Sequence, residues 1–220
     1  TTSSVTGQTL GLDGIQEYRV LTNAFPAEYG GVMGSQTVMV SKAGTNQFHG
    51  SAFWYHRDRN LEAANYFDEP GTRTEFSRNN YGGALGGPIL RNRLLFHGTI
   101  EYARVRRGTT NISTTLPAAA HVDGGLVPRI DPAIRPLVDL YPLPNAPGDR
   151  YTFVFTEPAS DLYGQVRLDA NLSTNSTVFG RYTVMNGDMT GATFFPGYET
   201  HAETRSHFLT LSENHIFGPT

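Results

Sequence analysis

Hydrophobic and polar positions alternate with period two over long stretches of this chain. Between Phe76 and Tyr102, Tyr81, Gly83, Leu85, Gly87 and Ile89 share one face, and Asn80, Gly82, Ala84 and Gly86 share the other. After Leu90-Arg91-Asn92-Arg93, the residues Leu94, Phe96, Gly98, Ile100 and Tyr102 alternate with Leu95, His97, Thr99 and Glu101. Alternation of this length predicts two-faced strands, joined here by a short polar turn. Pro88 falls at a strand end, where a missing N–H does least harm. Farther on, Leu162, Gly164, Val166, Leu168, Ala170 and Leu172 alternate with Tyr163, Gln165, Arg167, Asp169 and Asn171. Ser173-Thr174-Asn175-Ser176 turns that strand into Val178, Gly180, Tyr182 and Val184, against Phe179, Arg181 and Thr183. Strands are also predicted over His49–Arg57 and over Arg205–Phe217, the latter with Leu209, Leu211, Glu213, His215 and Phe217 as its outward row.

The first 47 residues read differently. Ile15–Leu21 and Thr37–Lys42 are short strands. Asn23–Tyr29 is a turn or helical turn closed by Gly30-Gly31, so a small mixed domain is expected there. The links between the later strands sort by length. Residues 58–77 are long and polar, with a short helix over Leu61–Phe67. Residues 105–160 are long and proline-rich, with a helical turn or two between Asp131 and Tyr141. Residues 185–204 form a third long link. Short turns separate these, so all long links fall on one side. That is the layout of an outer-membrane barrel, and a Greek-key sandwich has no reason to sort its loops so strictly. The expected fold is all-β: a partial antiparallel transmembrane β-barrel of about six strands, residues 48–220, preceded by the C-terminal part of a small α/β domain, residues 1–47. His97, Thr99, Glu101, Gln165, Arg167, Asp169 and Asn171 would then face the lumen. In a soluble β-sandwich they would be the solvated face.

Composition narrows the choice. Glycine is frequent (24 residues) and aromatics make up 11%, while only 17% of residues are charged, which suits strands and turns better than helices. No run approaches the ~18 apolar residues of a membrane helix, so a membrane span would have to be a barrel. The net charge of -3 points to no nucleic-acid partner. With no cysteine, disulfide frameworks and thiolate metal sites are excluded.

Several segments, taken in order, resemble TonB-dependent outer-membrane transporters of the Oar-like branch. Leu12-Asp13-Gly14-Ile15-Gln16-Glu17-Tyr18-Arg19-Val20 is similar to a late plug-domain strand, Ala27-Glu28-Tyr29-Gly30 to the turn after it, and Val38–Asn46 to the plug's last strand. Phe48-His49-Gly50-Ser51 and Asn79–Pro88 resemble the first barrel strands. Leu140–Asn145, Arg167-Leu168-Asp169 and Phe179–Tyr182 match the same branch. Where the family's plug strand ends Val-Thr-Lys-Ser-Gly-Thr-Asn, this chain has Val-Ser-Lys-Ala-Gly-Thr-Asn. The resemblance implies a bacterial outer-membrane location and a plug within a barrel of about 22 strands, of which this chain is a fragment unable to stand alone as a soluble monomer. It also implies uptake or export of a large solute, either a sugar polymer, a siderophore or a peptide. The work would come from the proton-motive force through TonB and its inner-membrane energising complex. Outer-membrane lipid would be the other partner. Tyr66, Phe67, Tyr141, Phe194, Phe195 and Tyr198 become candidate substrate-facing loop residues. Gly82, Ala84 and Gly86 would let the plug approach the wall closely.

No catalytic, cofactor-binding or metal residue is expected. Gly82–Gly87 lacks the strand–loop–helix setting and the lysine of a phosphate loop. The seven histidines are scattered, and Gly-x-Ser-x-Gly does not occur. The alternative function is a secreted or surface β-rich module for binding or adhesion.

Overall fold

The structure, a computed structural model, describes residues 4–6, 11–22, 35–61 and 75–218. Two antiparallel sheets form it. In the smaller, β1 (Ile15–Thr22) pairs with β2 (Ser35–Ser41). The larger is a six-stranded meander in sequence order: β3 (His49–Asp58), β4 (Phe76–Leu90), β5 (Leu94–Thr114), β6 (Arg150–Ser173), β7 (Ser176–Ala192) and β8 (Glu199–His215). Among the described residues no helix is long and apolar enough to cross a membrane. The expected turn or helical turn at Asn23–Tyr29 and most of the helix at Leu61–Phe67 lie outside the described residues.

The two short turns form where expected. Arg93 N–H donates to the Leu90 carbonyl (3.0 Å) and Asn92 adopts φ 63°, a left-handed value that asparagine tolerates. Thr174 and Asn175 join β6 to β7. The long links are a correction. The strands run well into two of them: β5 continues to Thr114 and β6 starts at Arg150, so residues 115–149 are the true connection rather than 105–160. Likewise β7 and β8 shrink the 185–204 link to residues 193–198. Polar side chains on both faces of these extensions remove the apolar–polar contrast that marks a strand, while the backbone ladder persists from Ala103↔Asp161 to Thr114↔Arg150. Pro158 sits just outside the β6–β7 ladder, which stops at Ala159. The helical turn near Asp131–Tyr141 is a four-residue helix, α1 (Arg135–Val138).

The large sheet has one apolar and one polar face. Tyr81–Ile89, Leu94–Tyr102, Leu162–Leu172 and Val178–Val184 carry the apolar rows, close to the ~9–11 residues that cross a bilayer as a tilted strand. Leu85, Ile100, Val166, Leu168, Leu209 and Leu211 are all substantially exposed on that side. Rings mark both ends of the band. Trp54, Tyr81 and Tyr102 stand opposite one another in register, with the two tyrosine rings 5.3 Å apart. At the short-turn end, Phe48 and Phe96 lie 6.4 Å apart. Such girdles sit at lipid–water interfaces. Apolar groups are thus turned outward. The small buried cluster of Ala103, Tyr163 and Met185 sits on the polar face instead.

A charge on the apolar face at mid-band costs about 2–4 kcal/mol, falling toward zero outside the bilayer. Val166→Arg in the full-length protein is therefore expected to lower folding stability in lipid vesicles by roughly that amount. Val154→Arg, on the same face of the same strand but beyond the band, should leave it within about 1 kcal/mol. Denaturant titration of folding into vesicles checks both.

Candidate functional site

The N-terminal segment lies on the polar face, and the contacts follow β6 in order. Asp161 is almost fully buried and binds residues 4–6. Its carboxylate accepts from the Ser4 hydroxyl (2.5 Å), the Val5 N–H (3.2 Å), the Thr6 N–H (2.8 Å) and the Thr6 hydroxyl (2.6 Å). Two residues on, the Tyr163 ring packs against Gly11, which has φ 77° and whose added Cβ would fall 2.3 Å from the ring. Gly11 N–H also donates to Glu101 (2.6 Å), whose other oxygen accepts from Asn80 Nδ2 (2.9 Å). Gly14 lies over Thr99 and Gln165, and the Ser51 hydroxyl donates to Asp13 (2.8 Å).

Farther toward the short turns, Arg167 donates through one Nη to the Ser41 carbonyl (3.0 Å) and Oγ (2.9 Å). Its Nε and other Nη grip Asp169 at 2.9 and 2.7 Å, and its guanidinium stacks over Phe179 at 4.3 Å. Gly44 N–H reaches Asp169 (3.4 Å), and a Cβ there would meet the Phe96 backbone at 2.5 Å. Asn171 holds the turn by donating to the Asn92 carbonyl (2.9 Å), and Asn46 exchanges two 2.7 Å bonds with Asn92. Each polar-face position of β6 from 161 to 171 thus meets the N-terminal segment, directly or through one residue.

All seven residues expected to face a lumen, His97, Thr99, Glu101, Gln165, Arg167, Asp169 and Asn171, lie on this polar face. His97, Thr99 and Glu101 are nearly inaccessible beneath the segment. Asp161 and Tyr163 were not among the expected site residues, although they extend the same odd-numbered row. The reading of Gly82 and Gly86 needs correction. A Cβ at Gly82 would meet the Ile100 carbonyl and the Phe53 ring, and one at Gly86 the His97 and His49 rings. These glycines make room for the wall's own side chains. Close approach is provided from the other side, by Gly11, Gly14 and Gly44.

A second feature lies at the far end. A cavity of about 490 Å³ opens between α1 and the tip of the β7–β8 hairpin. Tyr141, Phe194, Phe195 and Tyr198 line it with Leu137, Leu140 and Thr114. Phe195 is buried, edge-on to Tyr141 at 5.6 Å, while Phe194 is exposed. The Thr115 hydroxyl ties down the Pro142 carbonyl (2.5 Å). The structure therefore gathers four of the six loop aromatics. Tyr66 and Phe67 lie outside the described residues. Separately, the fold brings Asp188, His201 and Glu203 together on the exposed surface, with His201 3.1 Å from Asp188 and 3.2 Å from Glu203. Sequence reading missed that proximity because it depends on the β7–β8 register.

The sequence pattern of a family described as an outer membrane beta barrel domain matches residues 40–220. The chain belongs to that family. This is a family of outer-membrane barrels and not of enzymes, and it places the protein in the bacterial outer membrane. The sheet is accordingly barrel wall, its apolar face turned to lipid. Over 98 residues, 42% of the chain, the barrel protein is 30% identical to the TonB-dependent transporter Oar of Myxococcus xanthus. That match spans 9% of the Oar protein's length. No solved structure matches the chain.

Hydrogen bonds to a charged group contribute about 1.5–3 kcal/mol each. Asp161→Asn removes the charge and half the accepting capacity with little change of shape. In the full-length protein, amide exchange at Val5 and Thr6 is expected to quicken roughly 10- to 100-fold, while exchange within the β5–β6 ladder stays unchanged. Mass-spectrometric exchange measurements separate the two segments.

Proposed function

We propose that residues 1–47 are the end of a plug and residues 48–220 the first strands of the barrel around it, in a transporter that carries a large solute across the outer membrane. In this reading the plug blocks the lumen at rest. TonB and its inner-membrane energising complex, acting on a plug segment outside this chain, draw it aside at the expense of the proton-motive force. The similarity to a TonB-dependent transporter supports the reading. The observation that carries it is the ordered docking of residues 4–6, 11–14 and 41–46 along the polar face of the sheet, from Asp161 through Arg167 to Asn171. A segment held by a row of polar contacts, with no large apolar side chain buried among its described residues, can leave its wall without exposing much apolar surface to water. The outer cavity around Tyr141, Phe194, Phe195 and Tyr198 would be first to meet the solute, since well-formed apolar pockets of this size are where ligands bind.

A lock tests the moving plug. Asp13 and Ser51 are bonded side chain to side chain at 2.8 Å, and the chain has no cysteine of its own. Asp13→Cys with Ser51→Cys in the full-length protein is expected to form a disulfide from plug to wall. Uptake into intact cells would be followed with three labelled probes: an oligosaccharide, a ferric chelate and a short peptide. The probe that enters through the unmodified protein should be stopped by the oxidised lock as fully as by collapse of the proton gradient, and should enter again after reduction. Undiminished entry through the oxidised lock would refute a moving plug.

A further inference from the structure

The outward face of the wall changes character just above the Trp54–Tyr81–Tyr102 girdle. There β5 presents Arg104 and Arg106, both exposed and two residues apart on one face. Side chains at that spacing stand ~6.6 Å apart along a strand. The register flanks Arg104 with Asn79 on β4 and Ser160 on β6, and Arg106 with Ser77 and Pro158. None of the four outward positions directly paired with them is acidic. The carboxylates in the surroundings are engaged or a strand farther away. Glu75 accepts from the Thr156 hydroxyl (2.9 Å), Asp188 pairs with His201 (3.1 Å), and Asp58 lies across β4 beside Ser77. Among the described residues neither arginine has an ion-pair partner.

We propose that Arg104 and Arg106 clamp the phosphate of a phosphorylated glycolipid in the outer leaflet. The position argues for a lipid. The pair continues the lipid-facing face directly, one step beyond the ring girdle, where headgroups lie. It is on the side of the sheet with the longer links, which in outer-membrane barrels faces outward. The chemistry argues for phosphate. Guanidinium forks bond phosphate oxygens bidentately, and the Ser77 and Ser160 hydroxyls stand on either side to donate further bonds. The chain's net charge of -3 conceals this local excess of positive charge. The bound lipid would fix the height of the wall in the bilayer at the base of the long β5–β6 extension.

The test uses the full-length protein in detergent, with native mass spectrometry as the readout. The probes are a bisphosphorylated disaccharide glycolipid and the same lipid with its phosphates removed. The unmodified protein should prefer the phosphorylated form by roughly tenfold or more. Arg104→Gln with Arg106→Gln should abolish the preference. Arg129→Gln with Arg135→Gln, which removes the same charge from the 115–149 link, should keep it. Heat-modifiable gel mobility reports that each barrel is folded. Should the glutamine pair not fold, competition on the unmodified protein decides: millimolar inorganic phosphate should displace the phosphorylated lipid and spare the other. A preference that survives the glutamine pair, the absence of any preference, or binding of inorganic phosphate alone would each overturn the proposal.

Discussion

A peptide group inside hydrocarbon has no water to bond with, so every residue that crosses must find its partner on a neighbouring strand. That constraint shapes the rest of this chain. It selects a meander in which consecutive strands pair directly, and it makes the side chains alternate between two solvents. The usual arrangement of a globular protein is then inverted. Leu85, Ile100, Leu168 and Leu211 are exposed because lipid covers them, and the largest fully buried side chain among the described residues is a histidine, His97. A wall of this kind has no apolar interior to bind whatever lies inside it. Contact with the N-terminal segment has to be built from polar groups, and on β6 it is.

Two-faced strands were legible because the bilayer writes its own boundary into the alternation. The girdle rows, both short turns and the polar row from His97 to Asn171 all follow from period two. Strand ends were not legible, for the same physical reason. Above Tyr102 the surroundings are polar on both faces, so Arg104, Arg106, Thr110 and Thr152 carry no contrast even though their backbones stay paired. Proline-rich composition then drew the loop boundary far too early. Asp161 fell between the 105–160 link and the strand read from Leu162, and so was left out of the polar row it continues. Contacts across the two sheets were beyond period two altogether. That Gly11 and Gly44 supply the close approach, and not Gly82 and Gly86, depends on which backbone moves toward which, and that information is tertiary.

The docking row is uneven, and the unevenness bears on how the segment could leave. Its charge sits at three points: Asp161 accepts from four donors, Glu101 accepts from the Gly11 N–H, and Arg167 spends its donors on Asp169 and Ser41. Hydrogen bonds to a charged group contribute about 1.5–3 kcal/mol each, so these three points hold the segment, and each can yield without the others. On separation such bonds are replaced by bonds to water, which keeps the open state from being prohibitively costly. A uniformly apolar interface of the same extent would have bound the segment permanently.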